Sequence, residues 1–414
     1  MNDAANRFRF YRSGGGGHSV PADGFAIGCA LLLILGSSLD RLTIDAVGYS
    51  LYVSHVVGLF LAPVILLGLA RYSRYISLVA LLIATCFLAV IPAIAMFGAP
   101  GRVSYLPQIV SNVTLLLISV ILLSSLRVSQ LRRVVKGSVW VVIVGSVVQV
   151  LILPAASQNS GERVAGLLRP VLFFAEATWL AMFAAMLFAA ALTLGLNGYA
   201  LLLAPLIVVI FTRSALAILI AVVLVCIPAV RRSRIAILLI IGFCWTFAFW
   251  FVYRALSSVD RVKAVSSLDT RQLDILAVKN ANGGSLSWTG SPILSVYDPL
   301  RARVIPGTSN VLAFDLFWKF GLAGLILLGI WAWTWCWLLP RRAGARFGTP
   351  SILPAWVCLA VLPAVVQLNN AFGRPWLWVL AGLLLVSISV QCKEYEAQRR
   401  SECLGKPSNA TANR

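Results

Sequence analysis

The stretch LLLAPLIVVIFTRSALAILIAVVLVCIPAV, residues 201–230, is apolar or small throughout except for one charge, Arg213, near its middle. A charge at the centre of a bilayer costs at least about 2.5 kcal/mol. One membrane helix needs roughly 20 residues, so the run is too long for one span and tight for two. Two short helices, 199–212 and 214–230, joined by an outward-pointing tip at FTRSAL, remove both difficulties. Arg213 then leaves the hydrocarbon, and Thr212 or Ser214 can cap the second helix.

Composition supports the membrane setting. The chain has 414 residues, 60% hydrophobic and 12% charged, whereas a soluble domain carries about 25% charged residues. The expected fold class is all-α: a polytopic integral membrane protein with about twelve transmembrane helices and one long periplasmic loop. The expected spans are 23–38, 46–70, 75–97, 107–125, 137–155, 171–195, 199–212, 214–230, 235–255, 309–338, 351–369 and 376–392. A basic tail, 1–22, precedes the membrane domain of 23–392, whose periplasmic loop covers about 256–308, and a second tail, 393–414, follows.

The net charge of +20 is explained by topology before nucleic acid, because Lys and Arg hold loops on the cytoplasmic side. With the N-terminus inside, the short inside loops carry Arg71, Arg74, Arg127, Arg132, Arg133, Lys136, Arg231, Arg232, Arg341 and Arg342. The turn Leu196–Gly198 is the one inside connection that is not basic. An even number of spans puts both termini in the cytoplasm. The basic residues left outside work against this rule, so a cluster of them calls for a function. Arg163 and Arg169 lie in SGERVAGLLRP, and Arg213 lies at the hairpin tip. Arg254, Arg261, Lys263, Arg271, Lys279, Arg301 and Arg303 crowd into or beside the long loop, whereas Arg41, Arg102 and Arg374 lie apart.

Several function classes lack their signatures. There is no Walker A loop, no GxGxxG and no HExxH, and neither a cofactor nor a metal is expected. The eight cysteines fall in apolar spans or in the C-terminal tail, with no disulfide framework. The two histidines are His18, in the N-terminal tail, and His55, read as a packed helix residue.

Three stretches could carry chemistry. The first is SGERVAGLLRPVLFFAEATWLA, 160–181, where an arginine-bearing loop runs into an apolar helix bearing Glu176. An intramembrane carboxylate faces a cavity or a cationic partner; Glu176 either locks helices together by such a pair or belongs to a substrate site. The second is the long loop. LDTRQLDILAVK can form an amphipathic helix with Arg271 and Asp274 on its polar side, and Trp288 offers a flat face of the kind that stacks on sugars. The third is SNVLAFDLFWKFGLAGLILLG, 309–329, where Gly321 and Gly324 allow close helix packing and Asp315 and Lys319 can pair four apart. Arg213 itself has two readings. It is either an interfacial arginine that snorkels, or, beside the N-terminal amides of the second helix, part of an anion site.

In this order the stretches resemble the Wzy-type polysaccharide polymerases of the O-antigen ligase-like family. RPVLFFAEATWLA is similar to an arginine-led helix with a Glu-Pro-Ser element, and TRSALAIL to a Ser-Arg-Gly-Ala-Leu turn. SNVLAFDLFWKFGLAG is similar to a His-Asn, Gly-x-x-Gly helix, with Ser309-Asn310 where the family has His-Asn and Ala177 where it has proline. In a continuous helix the one-residue offset before Gly321 would turn Asn310 into the histidine's direction.

The resemblance implies an inner-membrane enzyme that joins oligosaccharide units carried on undecaprenyl diphosphate at the periplasmic face. Its implied partners are those lipid-linked substrates, membrane lipid, a flippase and a chain-length regulator. Arg213 and Arg271 are then expected to meet the diphosphate, with Glu176 as base or arginine-orienting group. Arg163, Arg169, Arg261, Arg301, Arg303, Asn310 and Trp288 are expected to bind substrate. An O-antigen ligase and a secondary transporter of an anionic or glycosylated substrate are the alternatives.

Overall fold

The computed structural model describes residues 20–39, 43–46, 49–53, 55–58, 105–151, 163–164, 167–168, 172, 174, 177–211, 234–257, 267–291, 293, 295–298, 303–305, 309, 311–343, 350–367 and 372–404. The expected spans 75–97 and 214–230 lie outside these residues.

The described chain is mostly helical. Helix α1 (Val20–Ser37) leads to an antiparallel hairpin of β1 (Thr43–Ala46) and β2 (Tyr49–Tyr52), paired Thr43 to Tyr52. Helices α2 (Tyr105–Ser125) and α3 (Val128–Leu151) follow, then a small hairpin of β3 (Arg163–Val164) and β4 (Leu167–Leu168). Next come α4 (Ala177–Thr193), α5 (Asn197–Phe211), α6 (Arg234–Leu256) and α7 (Ser267–Ala281). Strands β5 (Val296–Asp298) and β6 (Arg303–Ile305) form a third antiparallel hairpin. Helices α8 (Leu312–Phe320) and α9 (Leu322–Trp333) continue through a π-turn at Thr334–Leu338 into the short α10 (Leu339–Arg342). Helices α11 (Leu353–Val366) and α12 (Pro375–Leu404) complete the described elements.

Four of these segments are long and apolar enough to cross a membrane: Val128–Leu151, Ile235–Leu256, Leu322–Arg341 and Pro375–Arg399. Helices α1, α2, α5 and α6 fall close to the expected spans 23–38, 107–125, 199–212 and 235–255. Other boundaries differ. The expected span 46–70 begins in a β-hairpin, because Thr43–Tyr52 pairs with itself before residues 55–58 turn helical. The helix bearing Trp179 starts at Ala177, not 171, since Leu172 has a positive φ of 48° and Phe174 lies in a bend. The last helix runs past 392 to Leu404.

Helix α12 is the centre of the bundle. It packs on α2, α4, α1 and α11, and 89% of its apolar window is buried, against 17% for α6. An all-apolar helix is covered either by protein or by lipid; α4 and the apolar part of α12 are covered by protein. Gly382 permits the closest approach: a Cβ there would lie 2.6 Å from Ser119 Cβ on α2. Such small-on-small contacts drive helix association in lipid, where apolar burial gives little. On the periphery, α6 exposes Ile235, Leu239, Phe243, Phe249 and Trp250.

At one end of the bundle α4 terminates on Gly195 (φ 74°), with Leu196 N–H bonded to Ala191 O at 2.8 Å. This is a six-to-one closure that glycine makes without strain. Arg132 Nε donates to the terminal carbonyl of Leu194 at 3.0 Å, and its guanidinium lies 3.7 Å from Glu394 on α12. A cation there complements the negative end of the α4 dipole. Arg132, the α4–α5 turn and residues after 392 were each expected on one side of the membrane, and they do meet at one end.

Candidate functional site

The opposite end gathers the N-terminal ends of α2, α4 and α12. Pro375 is the first residue of α12, a position that needs no N–H, and a residue before proline is kept out of the helical conformation. Arg374 therefore leaves the helix axis and lies across Trp179 in the first turn of α4. Its guanidinium carbon sits 4.0 Å from the centre of that ring. Arg374 Nη1 donates to Tyr52 Oη at 2.9 Å, which fixes the guanidinium in its plane. A cation held on an indole face gains about 0.5–2 kcal/mol, more as water is excluded. The positive ends of α4 and α12 point at the same place and raise the local potential.

Tyr52 links this arginine to a buried polar chain. The Tyr52 backbone N–H donates to His55 Nδ1 at 3.2 Å, and the two rings meet edge-on at 5.6 Å. With Nδ1 an acceptor, the neutral imidazole carries its hydrogen on Nε2. Nε2 lies 3.1 Å from Ser111 Oγ and 3.4 Å from Asn112 Oδ1. Asn112 Nδ2 donates onward to Gly373 O at 3.0 Å, beside Arg374. Asn112 is fully buried and His55 nearly so, so these bonds satisfy groups that have no water to turn to. His55 is a packed residue, as expected, but with both ring nitrogens engaged it also ties β2 to α2.

A second polar region is built on the long loop. Helix α7 forms where LDTRQLDILAVK was expected to form one. Ile275 and Val278 bury against Val296, Val311, Phe314 and Trp318, a small core separate from that of the bundle. Arg271 is half-buried, with its guanidinium 5.4 Å from the Phe251 ring of α6. Gln272 donates to Ser257 Oγ at 3.1 Å and to the Arg254 carbonyl, which seats α7 on the end of α6. Asp274 differs from expectation: it is buried rather than on a solvated polar side.

The expected continuous helix of 309–338 is broken at Gly321, which adopts φ 58°, ψ −141°. The break lets the loop cross the helix. Leu322 N–H donates to Trp288 O, and Ser291 N–H to Trp318 O, both at 2.8 Å. Glycine is required on both sides of this crossing. A Cβ on Gly321 would overlap the Trp288 carbonyl, and one on Gly290 (φ 94°) would come within 2.6 Å of Lys319 O. Gly321 thus serves a loop crossing, not the helix–helix packing expected of it. Just before the break, Asp315 Oδ1 accepts both the N–H of Ser309 at 2.6 Å and its Oγ–H at 2.7 Å. Asp315, Ser309 and Lys319 are all buried. Ala313 N–H donates to Gln367 Oε1 at 3.0 Å, which joins the start of α8 to the end of α11, a few residues before Arg374.

Of the residues expected at a site, Arg271 and Trp288 are described in full. Arg163 and Arg303 are described only as backbone, in β3 and β6. Glu176, Arg169, Arg213, Arg261, Arg301 and Asn310 lie outside the described residues. The sequence reading passed over Arg374, Tyr52, Asn112 and Trp179. One available signal was an Arg-Pro pair at the mouth of an apolar span; another was an asparagine inside one. Among the described residues no group of three His, Cys, Asp or Glu could hold a metal ion. Compared with family models, with curated proteins and with solved structures, the chain matches none.

Proposed function

We propose that this protein is a bacterial inner-membrane glycosyltransferase of about twelve spans that polymerises undecaprenyl-diphosphate-linked oligosaccharide units at the periplasmic face. The observation that supports this most is Arg374. A guanidinium seated on Trp179 and tied to Tyr52 Oη is a cation fixed before any substrate arrives. Preorganised cations are what departure of a diphosphate demands, because they need no rearrangement as charge develops. The sequence order of Arg163, Arg169, Glu176, Arg213 and Arg271 points the same way.

In the proposed reaction a hydroxyl oxygen of one lipid-linked unit bonds to the anomeric carbon of another chain. The bond from that carbon to the diphosphate oxygen breaks, and undecaprenyl diphosphate leaves with the electron pair. The hydroxyl proton passes to Glu176 or to the departing phosphate. Arg213, Arg271 and Arg374 hold the diphosphate, for which the planar guanidinium fork is better shaped than an ammonium.

Deletion of the gene followed by profiling of lipid-linked glycans tests the reading. Accumulation of single repeat units on lipid is expected. Lipid-linked polymer that is never transferred would instead mark a ligase, and an unchanged glycan profile would overturn both.

A further inference from the structure

The helix from Leu322 to Arg341 carries one exposed stripe. Leu322, Leu325, Ile326, Trp333 and Trp337 are exposed, while Gly324, Leu327, Trp331, Thr334 and Trp335 are buried. At 100° per residue the two sets fall on opposite sides. Because this helix is long and apolar enough to cross a membrane, its stripe faces lipid.

Each end of the stripe carries a tryptophan. At one end the Arg341 guanidinium lies 5.5 Å from the Trp337 ring, the aromatic-and-cation pairing favoured at a headgroup layer. At the other end the N–H of Leu322 is bonded to Trp288 O. Trp288 is 73% exposed, and its ring meets Phe317 edge-on at 6.0 Å. Leu322 and Trp337 are 15 positions apart (337 − 322), about 22 Å of helix at 1.5 Å per residue. The apolar helix itself runs on to Arg341, 19 positions from Leu322 (341 − 322) and about 28 Å, which fits a hydrocarbon core of about 30 Å.

We propose that Trp288 is an interfacial anchor, lodged among the phospholipid headgroups on the side opposite Trp337. The strap from Asn282 to Ser291 then lies down on the bilayer instead of standing off in water. A lipid partner is favoured over a glycan because the residue that holds Trp288 begins the lipid-facing stripe. The backbone crossing at Gly290 and Gly321 ties the strap to the start of that helix. Tyr297, exposed on β5, gives the chain just beyond the strap a second side chain suited to an interface.

Depth measurement by spin labelling tests this. The cysteine-free full chain, in phospholipid bilayers, would carry one nitroxide at Ser287, beside Trp288. References would be Ile326 in the lipid stripe and Ala397 on the exposed part of α12. The ratio of oxygen to nickel-chelate accessibility at Ser287 is expected to lie several-fold above that at Ala397 and below that at Ile326. Trp288→Ala should drop it to the Ala397 value, and Trp288→Tyr should hold it. A Ser287 label as nickel-accessible as Ala397, with Trp288 intact, would overturn the anchor and leave the indole in water, where a glycan could stack. An unchanged ratio in Trp288→Ala would also overturn it. The reading depends on depth alone, so it is independent of whether the protein polymerises glycans.

Discussion

Arg374 shows how much a single residue's surroundings add to its identity. By sequence it is one of three outside arginines set apart from the crowded loop; in the fold it is stacked on an indole and hydrogen-bonded to a phenol. Arg374→Ala is expected to abolish polymer while leaving inserted protein at normal abundance. Arg374→Lys should restore only part, because an ammonium neither stacks as a plane nor bonds bidentately. The same pair of outcomes is expected at Arg213. Normal polymer in either alanine variant, read from glycan profiles beside membrane protein levels, would remove that arginine from the site. Glu176 and His55 make a contrasting pair. A general base contributes roughly 10²–10⁴-fold in rate, so Glu176→Gln should reduce polymer severely. His55 already accepts on Nδ1 and contacts Ser111 and Asn112 through Nε2. His55→Gln should therefore lower the thermal midpoint through lost hydrogen bonds, about 1 kcal/mol each, yet keep polymer synthesis. Loss of synthesis in stable His55→Gln protein would move the chemistry to this residue.

Among the elements, the broken helix α8–α9 is the most informative. Gly321→Ala should undock the strap, since a side chain at that backbone conformation costs about 1–3 kcal/mol and would overlap the Trp288 carbonyl. Limited proteolysis between α7 and β5 should speed up in the variant while the transmembrane helices stay protected; an unchanged cleavage rate would refute the clamp. This element also marks where the sequence stopped being legible. Apolar length predicted helices such as α2, α5 and α6 because each is a largely apolar run, and in lipid such a run satisfies its backbone only as a helix. It could not show the break at Gly321, whose cause is a carbonyl from a residue far upstream. Nor could it show that Asp274 is buried, because the small core around Trp318 that covers α7 exists only once the loop has folded. The polar chain from His55 to Arg374 was hidden for the same reason. Its members come from four separated stretches, and none stands out alone.

At the scale of the molecule, charge placement was the legible part. The expected inside residues Arg132 and Glu394 share one end, and Tyr52, Trp179 and Arg374 share the other. Cysteines at Ser266 and Ser285 are expected to react with an impermeant thiol reagent in spheroplasts. Labelling of both only after lysis would reverse the orientation.

The central position of α12 bears on how the protein is made. The ribosome releases α1, α2 and α4 into the membrane long before Pro375 is translated. Until α12 arrives, Ser119 on α2 lacks the glycine it packs against, and the face of α4 that α12 covers lacks that partner, although α3 and α5 already pack on its other sides. Closure of the bundle around α12 must therefore wait for this late segment, even where earlier helices already pack on one another. A stop codon just before Pro375 should leave each earlier helix able to insert, yet give a chain that membrane proteases clear quickly. Co-expressing residues 375–414 as a separate piece should restore its half-life, a form of complementation that a peripheral helix such as α6 would not provide.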